Sequence, residues 1–88
     1  MNNEKFSISS ILVIETENEE LTNTLYRILL PEVKTTKSKS TKVSIKRKDK
    51  NLYLYVEAKT TAGLRAILNS YLRWINSSLE VLKLNKNL

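Results

Sequence analysis

From Phe6 to Glu15 apolar and polar positions alternate with a period of two: Phe6, Ile8, Leu12 and Ile14 share one face, while Ser7, Ser9, Ile11, Val13 and Glu15 share the other. This pattern predicts a strand. Its second face starts polar and turns apolar, so the strand is expected to lie between neighbours or to pack on a partner along its second half. Thr16-Glu17-Asn18-Glu19 fits a capping box, with the Thr16 hydroxyl accepting from the third helical amide and Glu19 reaching back. A helix should follow, with Leu21, Leu25, Ile28 and Leu29 at helical spacing and Glu17, Glu19 and Glu20 near its positive end. Pro31 should stop or kink it near Leu30, leaving Lys34 to Ser40 as a mobile polar connector with nothing to bury.

Period-two alternation then returns twice. Thr41 to Lys48 sets Val43, Ile45 and Arg47 against Lys42, Ser44, Lys46 and Lys48. After a turn at Asp49-Lys50-Asn51, Leu52 to Lys59 points Leu52, Leu54, Val56 and Ala58 inward and Tyr53, Tyr55, Glu57 and Lys59 outward, so the two segments form a hairpin. Thr61 or Thr60 can cap a long last helix, with Gly63 in the first turn, where it costs least. The fold class is therefore α+β, in the order β-α-β-β-α. Three antiparallel strands carry both helices on one face, because only the helices can cover the inward side of the sheet. Residues 1–88 are read as a single domain, the chain being too short to build two cores.

The last helix has apolar surface beyond one stripe. Leu64, Leu68, Leu72, Ile75, Leu79 and Leu82 make one row, and Ile67, Tyr71 and Trp74 make a second. The second row either widens the core-facing side, which suits Tyr71, or forms a protein interface, which suits Trp74, since tryptophan is enriched at binding hot spots. The two open edges of a three-stranded sheet also make dimerisation by edge pairing or helix packing plausible.

Charge adds a second candidate surface. The net charge is +6, but residues 1–33 hold six acids against Lys5 and Arg27, whereas residues 34–50 hold eight cations against Asp49 alone. Such a block attracts polyanions, nucleic acid above all, or serves as a lysine-rich solvated loop. Lys42, Lys46, Lys48, Tyr53, Tyr55 and Lys59 share the outward side of the hairpin, cations for phosphate beside rings that can stack on bases. Ordinary solvent-facing strand residues, with tyrosines packed on lysine stems, give the same pattern. The element order resembles the KH module, but Gly63 is the only glycine and the GxxG clamp is absent.

Catalysis is not expected. One glycine and no histidine or cysteine leave no phosphate-binding loop, metal-ligand cluster or nucleophile–base pair, so no catalytic residue, metal site or cofactor is assigned. No apolar run approaches a membrane span, and Met1-Asn2-Asn3-Glu4-Lys5 leads into a strand rather than a signal segment; a cytoplasmic protein is expected.

Two segments carry a resemblance: Leu25-Tyr26-Arg27-Ile28-Leu29-Leu30-Pro31-Glu32, and Leu64-Arg65-Ala66-Ile67-Leu68-Asn69-Ser70-Tyr71-Leu72-Arg73-Trp74-Ile75. Together they resemble the small dimer-forming subunit of the archaeal-type KEOPS complex, over about Phe6 to Leu82. The resemblance implies a homodimer whose helices pack on the catalytic, ATPase-fold subunit that installs threonylcarbamoyl on the adenosine beside the tRNA anticodon. It implies a non-catalytic scaffold that helps hold tRNA, with room for a further small KEOPS protein beside it. Candidate contacts to the catalytic subunit are Leu25, Ile28, Leu29, Ile67, Tyr71 and Trp74. Arg65, Asn69 and Arg73, spaced four apart on one helix face, could bind phosphate or a partner's acids. With Lys42, Lys46, Lys48 and Lys50, Arg65 and Arg73 complete the RNA-binding candidates; the basic Lys34 to Lys50 run rests on charge alone. The alternative is a free-standing basic RNA-binding module that uses the outer face of the hairpin.

Overall fold

The computed structural model describes residues 8–36 and 38–86, with side chains through residue 82. Its elements are β1 (Ile8–Glu15), α1 (Glu19–Thr36), β2 (Thr41–Lys48), β3 (Asn51–Ala58) and α2 (Thr61–Lys86). The order and the three-stranded antiparallel sheet with two helices match the expected α+β fold. Phe6 and Ser7, assigned to the first strand from their alternation, lie outside the described residues, as does Lys37 of the connector.

The sheet order is β1-β3-β2, so β3 is central and β1 is an edge strand rather than one between neighbours. In register, Leu12 faces Leu54 and Leu54 faces Ile45. The inward side chains Val43, Ile45, Leu52, Leu54 and Val56 meet Leu25, Leu29 and Val33 of α1 and Tyr71 and Ile75 of α2 in one core. The expected strand faces are those observed. Lys48 opposite Asn51 leaves Asp49-Lys50 as a two-residue turn, and Asp49 takes a left-handed φ of 55°, which aspartate tolerates better than most residues.

Three local expectations are corrected. The cap of α1 is Asn18, whose Oδ1 accepts from the Leu21 amide at 2.8 Å. Thr16 stands too far upstream: its hydroxyl donates to the Asn18 carbonyl at 2.7 Å and pairs with the Thr22 hydroxyl at 2.6 Å, while its amide donates to the Lys50 carbonyl at 2.8 Å. Second, α1 continues through Pro31 to Thr36. Proline removes one helical hydrogen bond, but burial of Leu29 and Val33 on either side keeps the next turn helical. Third, the segment from Lys34 is therefore not all connector. The Thr36 hydroxyl lies 2.8 Å from the Tyr71 hydroxyl, and Ser38 to Thr41 form a hydrogen-bonded loop in which the Ser38 hydroxyl accepts from the Ser40 and Thr41 amides.

At the start of α2, Thr60 is the cap, its hydroxyl accepting from the Gly63 amide at 3.0 Å. A Cβ on Gly63 would stand 3.1 Å from that same oxygen, so the glycine leaves the cap its space.

Candidate functional site

Two surfaces were expected from the sequence, and they lie on opposite sides of the molecule. The first is the helix layer. α1 covers β2 and β3 whereas α2 covers β3 and β1, and the Thr36–Tyr71 pair joins the end of α1 to the middle of α2. Of the six proposed partner contacts, Leu25, Leu29 and Tyr71 are fully enclosed in the core. They hold the fold and offer no surface to a partner. Ile28 and Trp74 are 42% and 39% exposed, and Ile67 is half-buried against the core.

The two rows read along α2 trade members. Tyr71 enters the core, where Thr36 satisfies its hydroxyl, and Leu72 leaves it, 41% exposed. Burial pushes the Tyr71 phenol above its ordinary range; the bond to Thr36 opposes this and the Glu32 carboxylate adds to it. Trp74 stands edge-on to Tyr71, ring centroids 5.0 Å apart, so a buried ring fixes the base of an exposed one. A rigid aromatic on a helix surface is the usual chemistry of an interface anchor.

The second surface is the helix-free face of the sheet. Lys42, Ser44, Lys46 and Lys48 of β2 stand exposed beside half-buried Asn51, Tyr53, Tyr55 and Glu57 of β3. Lys46 Nζ lies 5.8 Å from the centre of the Tyr55 ring. Lys50 sits at the turn tip. Arg47 points the other way, its guanidinium 4.5 Å from the Tyr26 ring of α1, closing the core at the β2 edge.

Arg65 and Arg73 are exposed on α2, in the helix layer, away from the lysines. The six RNA candidates therefore form two groups, four on the sheet side and two on the helix side. Sequence reasoning joined them because periodicity gives the face of each element but not which sides of the fold those faces occupy.

Two exposed side chains on the open face were not named as contacts: Ile11 at 58% and Val13 at 53%. Their signal was the apolar second half of the outward face of β1. Among the described residues no group of three or more His, Cys, Asp or Glu side chains could hold a metal ion, and no helix is long and apolar enough to cross a membrane.

Residues 9–83 match the family described as transcription factor Pcc1. A curated relative, the KEOPS complex subunit Pcc1 of Pyrococcus abyssi (strain GE5 / Orsay), is 32% identical over 73 residues, covering 83% of this chain and 89% of the relative. With that coverage and the fold above, the chain belongs to the Pcc1 family.

Proposed function

We propose that this protein is a non-catalytic accessory subunit of a KEOPS-type assembly. It forms a homodimer in the cytoplasm, docks the catalytic subunit on its helix layer and helps hold tRNA for threonylcarbamoyladenosine formation. The observation that carries the reading is Trp74, exposed yet braced by buried Tyr71 and sharing the helix layer with exposed Ile28 and Val81, in a chain of the Pcc1 family. Catalysis belongs to the partner, and room remains for a further small protein on the dimer.

The test is to measure binding of the catalytic subunit from the same organism by calorimetry. Trp74→Ala should weaken the complex at least tenfold, or about 1.4 kcal/mol. The isolated variant should keep its cooperative melt. Unchanged affinity would move the docking surface off this part of the helix layer.

Lys46 beside Tyr55, on a face that also carries Lys42, Lys48 and Tyr53, favours a second reading as a free-standing RNA-binding surface. In that case the protein alone binds tRNA, and replacing Lys46 and Lys48 by Gln lowers the slope of log affinity against log salt by roughly one for each phosphate no longer neutralised. An unchanged slope removes the open face as an RNA site.

A further inference from the structure

Strand register arranges the helix-free face of the sheet as three columns of unlike chemistry. Its two middle rows read Ile11-Tyr55-Ser44 and Val13-Tyr53-Lys46, so the surface passes from aliphatic on β1, through aromatic on β3, to polar and cationic on β2. Among the described residues nothing shields Ile11 or Val13, both more than half exposed, and the tyrosines are only half-buried. Acids keep to the ends of the columns. Glu57 faces Lys42 and Glu15 faces Asn51, which leaves Lys46 and Lys48 as the cations nearest the tyrosines.

We infer that this face docks an amphipathic helix of another protein, whose apolar flank rests on Ile11, Val13 and the tyrosines and whose adjoining flank carries Asp or Glu toward Lys46 and Lys48. This surface lies opposite the helix layer, so both can be occupied at once.

Width, charge and shape commit the face to that partner. From β1 to β2 is two strand spacings, about 9.6 Å, close to the diameter of about 10–12 Å of a helix with its side chains. One helix lying along β3 therefore touches both outer columns. The cations stand on one side only, so the matching acids belong on one flank of that helix rather than all round it. A second copy suits the face poorly, because stacked open faces would put the lysine columns of two chains of net charge +6 into one interface. The short side chain of Ser44, between Lys42 and Lys46 and opposite Tyr55, leaves a depression that a large apolar side chain of the partner fills.

RNA matches less of this surface. Lys46 Nζ already stands 5.8 Å from the centre of the Tyr55 ring, which engages that ring before any base can stack on it. Ile11 and Val13 offer phosphate and ribose neither charge nor a hydrogen bond, whereas the apolar flank of a helix covers both.

The probe is a synthetic helix of about four turns with leucines at i, i+4, i+7 and i+11 and a glutamate after each, about 100° further round the axis. One control peptide scrambles the same composition, and another replaces each glutamate by lysine. Titrated into the isotopically labelled full-length protein, the acidic helix should shift the amide resonances around Ile11, Tyr55 and Lys46 and bind about tenfold more tightly than either control. Val13→Ser and Lys46→Glu, both at exposed strand positions whose folding a thermal melt checks, should each weaken it about fivefold or more. Trp74→Ala should bind it as the wild type does. Equal affinity for the three peptides, indifference to Val13→Ser, or shifts confined to α1 and α2 would overturn the proposal. So would tRNA binding that falls with Lys46→Glu, ignores Val13→Ser and is not displaced by the acidic helix, an outcome that gives the face to nucleic acid.

Discussion

The two faces of this sheet are built from the same three strands and differ in how completely each is finished. On the helix-covered face, every inward residue of β3 is buried and β2 contributes buried Val43 and Ile45, so that side is closed by the chain itself. On the open face β3 is only half-buried, β2 presents lysines, and β1 presents Ile11 and Val13 to solvent. The first face is what a domain needs in order to fold; the second retains apolar and cationic groups that folding does not use.

Substitutions can break that contrast or sharpen it. Leu54→Ala, at the centre of the closed face with neighbours on both strands, should cost about 2–5 kcal/mol in urea unfolding. A loss below about 1 kcal/mol would mean that the core is less closed than its burial implies. Next comes Tyr71→Phe, expected to cost about 1 kcal/mol by removing the bond to Thr36. It also carries a pH signature. The folded phenol resists ionisation more than the unfolded one, so its contribution is complete below about pH 10, the unfolded range, and is lost as pH rises above it. The phenylalanine variant should lose stability less steeply above pH 10 than the wild type. Smallest of all, Val13→Thr on the open face of the monomer should change its stability by less than about 0.5 kcal/mol. Were Val13→Thr as costly as Tyr71→Phe in dilute protein, the open face would already be serving the fold.

Much of this was legible in the chain. The strict alternation of β2 and β3 gave both faces residue by residue, because a strand offers only two sides and Asp49-Lys50 fixes the register. α1 was harder. Thr16 and Asn18 are both good caps, and the choice fell to Asn18 because Thr16 is held by the Lys50 carbonyl, 34 positions away, which no local rule sees. Pro31 signalled an end that Leu29 and Val33 overrode through burial. On α2 the exchange of Tyr71 for Leu72 depended on Thr36 being present to satisfy a buried hydroxyl. The candidate site suffered most. Arg65 and Arg73 could be placed on a helix face, but that this face lies on the other side of the fold from Lys46 follows only from the packing of elements.

The strand order β1-β3-β2 also sets a sequence of events. β2 and β3 are joined by two residues and can zip locally, whereas β1 finds its place only when Ile8 reaches Ala58 and Glu15 reaches Asn51 across the length of α1 and the hairpin. Long loop closure puts β1 last to arrive and, as an edge, first to leave, so its amides should exchange with solvent hydrogen faster than those of β3.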